Sequence, residues 1–145
     1  MPTRLIALSL VLSAALLSGC ASVPMASLDA DASAKTFQTD PGMANVYVYR
    51  NETLGSAIKM PILIDGMSVG DTASKTYVFK KVSPGSHIIT SKAETDATVT
   101  IDMKGGYNYF VWQEVKMGAF TARSQLHVVD DATGRAGVTE CKLVQ

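Results

Sequence analysis

Ala97-Thr98-Val99-Thr100-Ile101-Asp102-Met103 alternates apolar and polar residues without a break. Successive side chains of a strand point to opposite faces, so Ala97, Val99, Ile101 and Met103 share one face, with Thr98, Thr100 and Asp102 on the other. Threonine suits the wet side of a half-buried antiparallel sheet. The same alternation recurs on both sides of this segment. Val46 and Val48 oppose Tyr47 and Tyr49, and further strands are predicted over 58–64, 76–82, 86–92, 107–115 and 125–129.

Turn chemistry separates these strands. Asp65-Gly66 supplies the positive φ angles of a tight hairpin between Ile62-Leu63-Ile64 and Met67-Ser68-Val69. Ser83-Pro84-Gly85 turns Phe79–Val82 back into His87–Ile89, and Lys104-Gly105-Gly106 does the same between Val99–Met103 and Tyr109–Trp112. Pro61 places its strand at an edge or near a strand start. Short strands at this spacing predict an all-β fold, a small antiparallel β-sandwich or small barrel. The tail from Asp130 reads as a short C-terminal helix capped by Asp131, or as a last strand. Gly134 and Gly137 each weaken the helix by about 1 kcal/mol against alanine.

The first forty residues have another character. Arg4 precedes an apolar run from Leu5 to Leu17, broken only by Ser9 and Ser13. That is the layout of a secretory signal, and it is short for a membrane span, which needs about 20 apolar residues. The run ends in Leu17-Ser18-Gly19-Cys20, which resembles the lipobox of bacterial lipoproteins. The resemblance implies cleavage between Gly19 and Cys20 and diacylglycerol with further acyl chains such as palmitate on Cys20. Two or more chains anchor a protein stably. Ala21, rather than Asp, after the cysteine implies sorting to the outer membrane, facing the periplasm, by resemblance to lipoproteins of enteric bacteria. The Ala/Ser/Asp-rich stretch after it reads as a flexible tether up to the turn signal Asp40-Pro41-Gly42. The expected organisation is a signal peptide over 1–19, a lipidated start and tether over 20–40, and a β domain over 41–145.

Charge narrows the function classes. The chain carries 13 basic and 13 acidic residues, and losing 1–19 removes only Arg4. So balanced a chain offers no electrostatic case for nucleic acid, nor a polybasic patch for anionic lipid. There are two cysteines. With Cys20 committed to lipid, Cys141 is expected as a buried thiol, the alternative being an intermolecular disulfide.

The segment Ile62 to Gly70 with its Asp65-Gly66 turn, then Tyr77-Val78-Phe79, then Val82-Ser83-Pro84-Gly85-Ser86-His87, is similar to the PEGA-type module. Together with the lipobox, Val46-Tyr47-Val48-Tyr49-Arg50 and Gly106-Tyr107-Asn108-Tyr109-Phe110, it resembles the lipoprotein family catalogued as domain of unknown function 2846. The resemblance implies a small extracytoplasmic β-sandwich of the PEGA/transthyretin-like kind. It carries no catalytic residue over to this chain.

Candidate chemistry is sparse. His87 and His127 lack the ligand spacing of a metal site, and no cofactor is expected. Asp130, Asp131 and Glu140 read better as helix-end charges than as paired catalytic carboxylates. Ser68 falls in the spacing Gly66-Met67-Ser68-Val69-Gly70, but inside the expected Asp65-Gly66 hairpin and not at the strand-to-helix turn of a nucleophile elbow, and Gly105-Gly106 lacks the Lys-Ser/Thr of a phosphate loop. The aromatic residues offer one possible interaction surface: Phe110 and Trp112 share one strand face, and Tyr107 and Tyr109 the other, with Tyr47 and Tyr49 on a neighbouring strand. The expectation is therefore a non-catalytic binding or structural module for an envelope protein or peptidoglycan partner. Its rivals are a small envelope hydrolase using Asp130 or Glu140 with His127, and a carrier whose apolar cavity would exceed about 300 Å³.

Overall fold

The computed structural model describes residues 22–145. The expected signal peptide, the Gly19–Cys20 cleavage site and the lipidated Cys20 lie outside the described residues. The chain runs through α1 (Leu28–Ala34), β1 (Ala44–Arg50), β2 (Met60–Ile64), β3 (Met67–Thr72), β4 (Thr76–Val82), β5 (Gly85–Ser91), β6 (Ala97–Met103), β7 (Asn108–Met117), β8 (Ala122–Val129), α2 (Asp131–Thr139) and β9 (Lys142–Leu143). Two sheets form: a five-stranded one in the order β8-β7-β1-β4-β9, and a four-stranded one in the order β3-β2-β5-β6. The fold is a small β-sandwich, as the strand pattern predicts.

The interior between the sheets takes one face of every strand. Val46 and Val48 of β1, Val78 of β4 and Val111 of β7 meet Ile62 and Ile64 of β2, Ile89 of β5, and Ile101 and Met103 of β6. A second apolar layer lies on the outer face of the larger sheet. There Tyr47, Tyr49, Tyr77 and Phe110 are covered by Ala34 of α1 and by Val138 and Cys141 at the end of α2. The molecule therefore has three layers: helices, five-stranded sheet, four-stranded sheet.

Asp65 and Gly66 adopt φ of 51° and 79° and close the β2–β3 hairpin as expected. The other two turns reverse the chain but do not make hairpins. Ser83-Pro84-Gly85 carries it from β4 in one sheet to β5 in the other, and Lys104-Gly105-Gly106 from β6 back to β7. Turn residues dictate a reversal; which sheet receives the next strand depends on where its apolar face can be buried. This shuttling also introduces parallel pairs, β1 with β7 and β4 with β9, into a sandwich expected to be antiparallel throughout.

Residues 20–40, read as a flexible tether, are docked from Val23 onward. Met25 pairs with Val144, and Gln145 N–H donates to Pro24 O at 2.9 Å. Ser27 caps α1 by accepting from Ala30 N–H. Asp31 accepts from Tyr77 Oη at 2.9 Å and from Leu143 N–H at 2.9 Å. Burial works against ionisation of Asp31, but the hydrogen bonds from Lys35, Tyr77 and Leu143 outweigh it and hold the carboxyl below its ordinary value. Small-residue composition suggested a linker; the same small residues let α1 lie flat against the sheet.

The tail resolves both readings at once. Asp130, not Asp131, caps α2 by accepting from Thr133 N–H, and β9 follows the helix. Gly134 and Gly137 are close-approach positions. A Cβ on Gly134 would stand 2.1 Å from Phe110 Cγ, and one on Gly137 would stand 2.2 Å from Tyr49 Cε2. The helix propensity lost at these glycines is the condition for seating α2 on the aromatic layer.

Candidate functional site

The anticipated aromatic surface does not form as a unit. The parallel register places Tyr47 opposite Phe110 and Tyr49 opposite Trp112, so these four share the helix-covered face. Tyr47 and Tyr49 are buried, and burial pushes both phenols up to about 12. Tyr47 stacks on Phe110 with centroids 5.0 Å apart and donates to Ala34 O at 2.8 Å. Tyr109 packs against the inter-sheet core, and its hydroxyl accepts from Lys104 N–H at 2.7 Å. Tyr107 alone is exposed, at 60%. Alternation assigns two faces to a strand, but here helices cover the face that looked free.

The residues of the hydrolase reading are engaged separately. His127 stacks on Trp112 and bonds Glu114 at 2.8 Å. Asp130 caps the start of α2, while Glu140 follows its end and accepts from Asn51 Nδ2. About 15 Å of helix separates the two carboxylates at 1.5 Å per residue. Among the described residues, no three His, Cys, Asp or Glu side chains gather as a metal site. Cys141 is buried with Sγ 3.5 Å from Arg50 O, and burial pushes its thiol up to about 12.

The two ends of the sandwich are built differently. At one end, the β2–β3 turn meets the β4–β5 crossing. Asp65 accepts from Ile88 N–H at 2.9 Å and pairs with His87 Nδ1 at 2.6 Å, while His87 Nε2 contacts Ser83 O at 2.7 Å. The hydrogen bond that His87 donates to the Asp65 carboxylate raises the His87 pKa and lowers that of Asp65. A depression of about 360 Å³ opens beside them, with Met67, Val69 and Val82 as its apolar wall and Lys80 and Lys81 at its rim.

The opposite end gathers buried polar groups under a protruding loop. Arg50 is fully buried, and its guanidinium donates to Ile58 O at 2.7 Å, Leu54 O at 3.2 Å and Gly55 O at 2.6 Å. It fixes the 51–58 loop, and burial lowers its pKa. Beneath it, Gln113 donates to Ser91 Oγ at 2.6 Å and accepts from Thr72 Oγ1, joining the two sheets. Glu94, in the β5–β6 connection, reaches across to the β7–β8 turn. Its carboxylate accepts from the N–H groups of Thr121 and Phe120, both at 2.9 Å, from that of Ala119 at 3.2 Å, and from Arg123 at 2.9 Å. Those donors, Thr121 and Phe120 foremost, lower the Glu94 carboxyl to about 2. The turn so held presents Phe120 at 97% exposure and Met117 at 79%, and shares a depression with Gly55 and Ile58 of the 51–58 loop. The apolar run Met117-Gly118-Ala119-Phe120 between two strands was the available sequence signal; nothing in the sequence marked Glu94 or Arg50.

Sandwich, helix layer and turn geometry define a small β module in which Arg50 and Glu94 hold the protein's own loops. The family model described as "Protein of unknown function (DUF2846)" matches residues 40–125, and the chain belongs to that family. The match covers β1 to the first half of β8 and leaves α1, α2 and β9 outside it. An uncharacterized protein of Haemophilus influenzae is 32% identical over 132 residues, covering 90% of this chain and 79% of that one. No solved structure matches the chain. No helix among the described residues is long and apolar enough to cross a membrane.

Proposed function

We propose that this protein is a lipid-anchored envelope lipoprotein, held by acyl chains on Cys20 at the periplasmic face of the outer membrane. In this reading it acts as a non-catalytic module that presents its β-sandwich to an envelope protein or cell-wall partner. The observation that carries the reading is the Leu17-Ser18-Gly19-Cys20 sequence behind an apolar run of signal-peptide length. The fold supports it. With the larger sheet sealed by helices, the smaller sheet keeps a free outer face of Ser86, Ile88, Thr98, Thr100 and Asp102, all exposed. A flat strand face with mixed polar and apolar groups suits recognition of a partner more than chemistry on a small substrate.

Fractionation of cells carrying wild type or Cys20→Ser tests the anchor. The wild type is expected in the membrane fraction with a diacylglyceryl-modified Cys20 peptide by mass spectrometry, and the variant in neither state. A wild type that is soluble, or whose residue-20 peptide has an unmodified mass, overturns the reading. Cross-linking in intact cells tests the module, with Thr98→Lys/Thr100→Lys expected to abolish a specific adduct. Recovery of the same adduct from the double variant removes this face from the proposal.

A further inference from the structure

The Phe120 loop stands at the end of the sandwich where the chain enters the domain. Ser22, the first described residue, lines one depression with Val23 and the β3–β4 loop residues Ala73, Ser74, Lys75 and Thr76. Thr76 is the register partner of Arg50, so this loop sits at the Arg50 end. Gln113 of β7 is level with Arg50, because Trp112 pairs with Tyr49, and β7 runs four residues further to Met117. At about 3.3 Å per residue, the tip projects roughly 13 Å beyond the Arg50 level. Sideways, the tip stands two or three strand spacings from β4, about 10–15 Å.

We infer that Phe120 and Met117 form a second membrane contact, inserting into the lipid interface while the acyl chains of Cys20 hold the same end of the domain against it. This rests on the anchored reading above. Only Ala21 separates Cys20 from Ser22, a span of at most about 7 Å. An anchor on so short a leash keeps this end, and not the Asp65–His87 end, at the bilayer. The tip is built for insertion without refolding. Glu94 satisfies three backbone N–H groups of the turn, so Phe120 enters an apolar medium without bringing unpaired donors with it. Directly behind it, Lys116 and Arg123 face each other across the hairpin, each paired with a carboxylate, Glu114 and Glu94, so the tip is followed by a polar, charge-balanced shoulder. The insertion is apolar first, in keeping with a chain of balanced charge.

The test uses the full, processed protein in vesicles of phosphatidylethanolamine and phosphatidylglycerol with brominated acyl chains, which quench tryptophan at the depth of the chains. The wild type has one tryptophan, Trp112, packed under the helix layer, and serves as the baseline. Phe120→Trp adds a reporter at the tip, and Met67→Trp adds one at the opposite, exposed end. The inference expects a blue-shifted, quenched emission component from Phe120→Trp and unquenched emission from wild type and Met67→Trp. Equal quenching at positions 120 and 67 overturns it, as does quenching at neither. In the latter case the tip belongs against a protein surface or a second copy of the chain. Mass measurement of Cys20 in the same samples is read separately. A modified Cys20 with an unquenched tip sinks this inference alone. An unmodified Cys20 with a quenched tip sinks the anchor and leaves the tip contact standing.

Discussion

β1 and β6 are each seven residues long and both alternate in sequence, yet β1 is buried at every position and β6 keeps Thr98, Thr100 and Asp102 exposed. The difference lies in what covers the sheet each belongs to. β1 lies between the inter-sheet core and the helix layer, so its valines and its tyrosines are both interior. β6 lies at the edge of a sheet with one open face. Alternation reports two chemically distinct faces; it does not report whether the polar-tolerant one is wet.

That contrast can be broken by lifting the helices. Gly134→Val places a branched side chain where even a Cβ would stand 2.1 Å from Phe110. Overpacking of this kind costs about 1–3 kcal/mol and outweighs the roughly 0.3–0.5 kcal/mol of helix propensity that valine regains over glycine. Urea denaturation should show a lower midpoint, and α2 amides should lose hydrogen-exchange protection before those of β5 and β6. A stabilised variant would mean that α2 does not seal the sheet.

A smaller effect is expected from Tyr47→Phe, which keeps the ring stack and removes the donor to Ala34 O. Ala34 O keeps the hydrogen bond from Phe37 N–H, so the loss is that of one ordinary hydrogen bond, about 0.5–1.5 kcal/mol. Thermal unfolding should register it, and protection should fall first in α1.

The open-faced sheet should answer to pH through His87 and Asp65. The His87 pKa is raised by Asp65, so its contribution is complete below about 6.5, the ordinary value, and is lost as pH rises through the raised one. Asp65 is lowered, so its contribution is present above the ordinary carboxylate range and is lost as pH falls through the lowered value. Protection of the Ile88 amide, which donates to Asp65, should therefore be greatest in mildly acidic solution and decline toward alkaline pH. His87→Gln should abolish the alkaline decline; a decline that persists would place its cause elsewhere.

The smallest effect is expected on the wet face itself. Thr100→Ala should change stability by no more than about 0.5 kcal/mol, as surface substitutions do. A larger loss in chemical denaturation would show that this face is covered after all.

Strand positions were legible because period-two patterning survives wherever one face is buried, and β4 and β6 fall where the pattern puts them. The Asp65-Gly66 hairpin was legible because its φ angles demand those residues. Sheet membership was not, since Ser83-Pro84-Gly85 has the same turn chemistry whether the next strand pairs with the last or crosses the sandwich. Gly134 and Gly137 look like helix breakers in a one-dimensional reading, because the aromatic rings they accommodate lie far away in sequence. The tyrosines misled for the same reason: Tyr47 and Tyr107 look alike as letters, and only the helix layer makes one core and leaves the other exposed. For the candidate site, Leu17-Ser18-Gly19-Cys20 is entirely a sequence signal, whereas the Glu94 clamp joins two connections that only the folded sandwich brings together.

The pairing of Met25 with Val144 gives the molecule a mechanical character. Tension applied along the N-terminal segment meets first the bonds between Ala26 N–H and Leu143 O and between Gln145 N–H and Pro24 O. Those bonds lie across the strands, so a pull along the strand direction loads them together in shear, a stiffer arrangement than peeling them one by one. The load then passes through β9 into β4, at the margin of the larger sheet, and reaches the inter-sheet core last. A domain tugged by its leading end is thus clamped by its own trailing end.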